Sequence, residues 1–125
     1  MLLRLLAAIG FALQLLLGGC GEAPLPQRQV RSDDCLRDLQ IENLPEQITR
    51  CDQVVARFPS KPGPLNERSL LLSLAGRDQE ACADIRRAIA LAQSAGPVQL
   101  DQQLKLDLKL RGEICAAAAT SPHGQ

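Results

Sequence analysis

The stretch from Leu65 to Ala92, LNERSLLLSLAGRDQEACADIRRAIALA, reads as two helices around one turn. Leu70, Leu71 and Leu74 give the first half an apolar side, predicting a helix from about Asn66 to Ala75. Gly76 stands where a left-handed residue closes a helix, and Asp78 where an N-cap opens the next. The second half predicts a helix from about Gln79 to Ser94, with Ala81, Ile85, Ala88, Ile89 and Ala92 on one side. Gly96-Pro97 ends it. Two amphipathic helices joined by so short a turn pack antiparallel, apolar sides together.

The flanking segments extend the pattern. Upstream, Pro45 suits the first turn of a helix in which Ile48, Cys51, Val55 and Phe58 share a face. The run Pro59-Ser60-Lys61-Pro62-Gly63-Pro64 stops that helix. Before it, Ser32 is a candidate N-cap for a short helix over Asp33–Ile41, with Asp33 and Asp34 in its first turn. Downstream, Leu104 to Leu110 alternates as a strand would, yet Leu100, Leu104, Leu108 and Cys115 also share a helical face. No other segment offers a partner strand, and Leu, Lys and four alanines at 116–119 favour helix. The expectation is an all-α domain over 32–119, about five helices in antiparallel hairpins. A turn at Gly112 is the alternative for its last segment. Residues 120–125 read as a disordered tail.

Five cysteines are present, of which Cys35, Cys51, Cys82 and Cys115 lie in this domain. None forms a C-x-x-C pair, which weighs against redox and zinc-ribbon chemistry. An even number in a small domain reads as two disulfides, and the count alone leaves three pairings. The hairpins choose among them. Cys35 and Cys51 are equidistant from Asn43 in the expected first turn, and Cys82 and Cys115 are centred beside Gly96-Pro97. Residues equidistant from a turn lie at matching height, so the expected bridges are Cys35–Cys51 and Cys82–Cys115.

At the N-terminus, Arg4 precedes an apolar run of about thirteen residues, too short to span a bilayer and right for the core of a signal peptide. It ends in Leu17-Gly18-Gly19-Cys20. This segment resembles the signal peptide of a bacterial lipoprotein, with Cys20 as the lipid-acceptor residue. The resemblance implies cleavage of residues 1–19, diacylglyceryl transfer to the Cys20 thiol, and acylation of the new amine. Two or three acyl chains give a stable anchor. Residue 21 is Gly, not the Asp that retains lipoproteins in the inner membrane of enteric bacteria, so outer-membrane sorting facing the periplasm is implied where two membranes exist. Residues 20–31, with Pro24 and Pro26, read as a tether from lipid to domain.

The turns near 42–45 and 76–78, and those near 59–64 and 93–97, recur at a spacing of about 34 residues, the tetratricopeptide (TPR) period. The chain resembles that repeat best over Leu65–Ala92, where Ser69, Ala81 and Ala88 take the small positions and Ile85 the large apolar one. Leu65 and Leu72 stand where the family has Trp and Tyr, and Arg31 and Asp38 replace them one period earlier, where only Pro59 matches well. A generic helical bundle gives similar spacings. The TPR resemblance implies a binding face along the first helix of each unit, on which Asn66, Leu70, Ser73, Asp101 and Leu104 would contact a protein or peptide partner.

Composition excludes several functions. Fourteen Lys and Arg balance fourteen Asp and Glu, which removes the electrostatic case for nucleic acid. The chain has no Trp, no Tyr and two Phe, of which only Phe58 lies beyond the leader, so stacking on bases or sugars is unsupported. The single histidine, His123, is in the tail, and no nucleophile–base pair or metal set can be built around it. Asp33, Asp34, Asp38, Glu42, Glu46 and Asp84 fall mostly on expected exposed faces or helix starts. The expectation is therefore non-enzymatic, without metal or cofactor: a lipid-anchored protein-interaction module, or alternatively a small envelope inhibitor or accessory subunit.

Overall fold

The computed structural model describes residues 28–96 and 100–121. Cys20, the leader and His123 lie outside the described residues. Among these, four α-helices and no strand occur: α1 (Leu44–Arg57), α2 (Pro62–Leu74), α3 (Asp78–Ser94) and α4 (Gln102–Thr120), with a 3-10 turn at Ile41–Asn43 before α1. Both disulfides have the expected pairing, Cys35–Cys51 and Cys82–Cys115.

Side-chain contacts give the helix directions. Arg68 of α2 reaches back to Asp52 of α1 and across to Asp84 of α3. Cys82 meets Cys115, and a methyl at Gly112 would come within 2.9 Å of Ile89, so α3 and α4 run in opposite senses. Asn66 bonds Asp107 and Ser69 bonds Arg111, so α2 and α4 run in the same sense. The core gathers Cys35, Ile48, Cys51, Val54, Val55, Leu65, Leu71, Leu72, Ala81, Ile85, Ala88 and Leu108. Leu65, Leu71 and Leu72 are buried on α2, whereas Leu70 is half-buried and Leu74 is 50% exposed. The small residues Ser69, Ala81 and Ala88 are all buried, as a close helix crossing requires.

The expected fifth helix, over Asp33–Ile41, does not form. Turns replace it, with Asp34 N–H bonded to Arg31 C=O at 3.3 Å and Arg37 N–H to Asp34 C=O at 3.4 Å. Asp38 adopts a left-handed φ of 50°, which ends any helical run. The carbonyls a helix would use are captured from outside it. Gln47 Nε2 donates to Cys35 O at 2.7 Å and Arg37 O at 3.2 Å, and Arg50 also donates to Arg37 O. Nine residues are too few to hold a helix against that competition.

The other boundaries shift for local reasons. Pro62-Gly63-Pro64 does separate α1 from α2, but as the first turn of α2, where a proline's missing N–H has no intrahelical partner to lose. At the other end of α2, Gly76 takes φ 73°, Arg77 N–H bonds Leu72 C=O at 2.8 Å and Gly76 N–H bonds Ser73 C=O at 3.0 Å. Asp78 is the first residue of α3 rather than its cap, and with Glu80 sets negative charge at the positive end of the helix. The alternating segment 104–110 is helical, and α4 passes through Gly112 without a turn.

Candidate interaction groove

A groove of about 340 Å³ lies between the start of α2 and α4, with Leu36 also in its lining. Four of the five residues expected on a binding face line it: Asn66, Leu70, Asp101 and Leu104. They converge because α2 and α4 run side by side in the same sense. Ser73 does not join them. Two turns further along α2, it lines a separate cleft with Leu110, Ile114 and the Cys82–Cys115 bridge.

The groove is held by polar contacts that periodicity did not reveal. Asn66 Nδ2 donates to Asp107 Oδ2 at 3.1 Å, and Gln103 Nε2 donates to Asp107 Oδ1 at 2.8 Å. Arg111 Nη1 donates to Ser69 Oγ at 3.1 Å, while that hydroxyl donates to Asn66 C=O at 2.7 Å. Because a carboxylate accepts, the Asp107 contact fixes which end of the Asn66 amide is nitrogen. Asn66 Oδ1 is then buried without a hydrogen-bond partner, and so is Glu67 Oε2 in the same wall. Burial, with the neighbouring Asp33 charge, pushes the Glu67 carboxyl above the usual glutamate range.

Two buried aspartates elsewhere have cationic partners. Asp84, expected at the surface, is buried beneath Arg68, which grips it through Nε and Nη2 at 2.7 Å each and reaches Asp52 at 2.9 Å. Asp34 is also buried. It accepts the Arg31 N–H at 2.7 Å, and that bond, with Arg28 and Arg37 nearby, holds its carboxyl below the usual aspartate range. Asp84 had a sequence signal, since it falls within the stripe Ala81–Ile85–Ala88 and a charge inside an apolar stripe needs a partner. Glu67 and Asp107 had none, because their placement depends on how α4 crosses α2.

Along α4, Leu106, Leu110 and Ile114 recur at i+4 spacing and are 54–60% exposed, the last two at the edge of the cleft that Ser73 lines. Among the described residues, no group of three or more His, Cys, Asp or Glu is arranged to hold a metal ion, and no helix is long and apolar enough to cross a membrane. Comparison with family models, curated proteins and solved structures returns no match for this chain.

Proposed function

We propose that the protein is a lipid-anchored envelope protein whose helical domain binds a protein or peptide partner without catalysing a reaction. The anchor is Cys20 at the end of its Leu-Gly-Gly-Cys run, placing the domain beside a membrane, at the periplasmic face of the outer membrane where two membranes exist. The helical part acts as a short TPR-like unit, with α2 and α3 as one repeat and α4 as the first helix of the next. The observation that carries this reading is the groove, where Asn66, Leu70, Asp101 and Leu104 from two like-directed helices share one wall-to-wall space. The buried small residues Ser69, Ala81 and Ala88 also support it.

Two experiments test the two halves. Metabolic labelling with a palmitate analogue is expected to mark the wild-type chain and leave Cys20→Ala unmarked; equal labelling of both refutes the anchor. Crosslinking and capture from membranes, with Cys20 intact, is expected to return one reproducible partner that Leu104→Glu abolishes. A partner retained by Leu104→Glu refutes the groove as its site. The second reading, a small inhibitor or accessory subunit, is favoured by the single apolar stripe Leu106, Leu110 and Ile114. It predicts a partner lost with Leu110→Glu and kept with Leu104→Glu.

A further inference from the structure

Among the residues of α4 only Leu108 is buried, while Leu106, Leu110 and Ile114 stand exposed in one row, one per turn. They are three of the six large apolar side chains exposed among the described residues. A helix at the edge of a bundle ordinarily turns a polar face to water, and a contiguous apolar row marks a contact surface. The row stands between two clefts of about 510 Å³ each. Leu110 and Ile114 border the cleft that Ser73 lines, and Lys109 and Glu113 border one against Ile89 and Ala92 of α3.

The charges beside the row indicate what covers it. Lys109 and Glu113 are exposed, and each precedes a member of the row by one residue, so they share one edge of it, one turn apart. We propose that the row receives α4 of a second copy of this chain, antiparallel about a two-fold axis at Leu110. That axis sets Leu106 against Ile114 of the second copy and Leu110 against its own equivalent. It also turns each edge toward itself, so Lys109 lies opposite Glu113 of the second copy, and Glu113 opposite its Lys109. At 1.5 Å of rise per residue, such a pair differs in height by only about 3 Å. One axis therefore satisfies the apolar row and the charges together. A parallel pairing would set lysine beside lysine and glutamate beside glutamate, which repel. Rows at i+4 spacing on both copies pack ridge into groove. Equal numbers of acidic and basic residues leave no net charge to hold the copies apart. The proposal goes beyond the groove reading, and it gives the row a different occupant from the target of the second reading.

The test uses the full chain, produced in one cell as two differently tagged copies. A mild-detergent extract is captured by one tag, and the other tag is measured. Wild type is expected to bring down its second copy, and Leu110→Glu to lose it. Lys109→Glu leaves only acids at these two edge positions, and Glu113→Lys only bases. Each is expected to capture its own kind roughly tenfold less, as the two rim pairs of the dimer turn from attraction to repulsion. Lys109→Glu in one copy and Glu113→Lys in the other restore two opposite pairs, so that mixture is expected to recover wild-type capture. A role for Lys109 and Glu113 within a single chain predicts no such rescue. All three sites are exposed, so the variants are expected to keep the fold, checked by unchanged far-ultraviolet circular dichroism. A photo-crosslinking phenylalanine analogue in place of Leu110 is expected to join the chain to itself. No co-capture of wild type, capture undiminished by Leu110→Glu, or a mixed pair no better than the single variants overturns the proposal. An adduct from position 110 to a different protein alone overturns the second copy and leaves the row to the second reading.

Discussion

Replacing Arg68 with Met removes a side chain that ties α1, α2 and α3 together. Arg68 makes three charged hydrogen bonds, two to Asp84 at 2.7 Å and one to Asp52 at 2.9 Å. The three contacts are unequal. The Asp52 side chain is 54% exposed and that of Asp84 only 10%. The Asp52 contact is therefore worth about 0–1 kcal/mol, since water replaces it. Asp84 is different, because losing Arg68 leaves a carboxylate in the interior with no countercharge. Breaking such a pair from one side costs about 3–5 kcal/mol when burial is complete. Arg68 keeps 20% side-chain exposure, which admits some water and reduces the expected loss to about 2–4 kcal/mol. A domain of this size has roughly 5–14 kcal/mol in total, so the loss is a large share.

The assay is urea unfolding of the full chain in mild detergent, unreduced, followed by far-ultraviolet circular dichroism. At a slope of about 1–1.5 kcal/mol/M, the midpoint of Arg68→Met is expected to fall by about 2 M. Arg68→Lys keeps the charge but cannot make the two-pronged contact, and should fall between. The double variant Arg68→Met with Asp84→Leu decides the matter. Replacing a buried ion pair by apolar residues of similar size is near neutral, so the double variant should recover most of what Arg68→Met loses. If Arg68→Met costs less than about 1 kcal/mol and the two substitutions simply add, the reasoning is wrong.

Loop entropy alone puts removal of Cys82–Cys115, which spans 33 residues, at about 3.7 kcal/mol and of Cys35–Cys51, spanning 16, at about 3.1 kcal/mol. Because Cys35 and Cys51 are both fully buried and segment 28–40 has no helix of its own, the double Ala variant at 35 and 51 should lose more than its loop length implies. Limited trypsin digestion of that variant should cut first at Arg31 or Arg37. Gly112→Ala gains about 1 kcal/mol of helix propensity, offset by displacing the Ile89 Cδ1 at 2.9 Å, so its thermal midpoint should barely move; Gly112→Leu should cost about 1–3 kcal/mol by overpacking. Asp34 has a lowered carboxyl pKa, so its contribution is present above the usual aspartate range and is lost as pH falls through the folded value; Asp34→Asn should flatten the acid side of the stability profile. Glu67 has the opposite sign. Its raised pKa favours folding below the usual glutamate range and loses that benefit as pH rises through the folded value, so Glu67→Gln should gain on wild type between acid and neutral pH in the same assay.

Periodicity and punctuation made α1 and α3 legible to within a few residues, because an apolar stripe at helical spacing has few ways to be buried, while α4 was legible as helix but not as one helix continuous through Gly112. The cysteines were legible for a related reason, since matching height across a turn limits which sulfurs meet. Yet Cys35–Cys51 forms without the helix that suggested it. Cys35 reaches Cys51 from a chain of turns pinned by Gln47 and Arg50, a contact between segments that spacing does not encode. Four of the residues expected on one face line the same groove because α2 and α4 run side by side, while Ser73 lines a different cleft because its position along α2 faces a different part of α4.

The sequence by itself determined the all-helical class and pointed to the two bridges, and its inventory of reactive groups holds one histidine and almost no aromatic residues. These follow from local rules: side-chain period, turn residues and the inventory of reactive groups. Only the tertiary structure decided which polar side chains are buried together. Arg68 closing over Asp84 depends on how α3 packs against α2, and Asn66 meeting Asp107 while its oxygen and that of Glu67 go unpaired depends on how α4 lies against α2. Those crossings bury the small side chains Ser69, Ala81 and Ala88 and bring Gly112 against Ile89, and packing is a property of the whole set rather than of any one stretch.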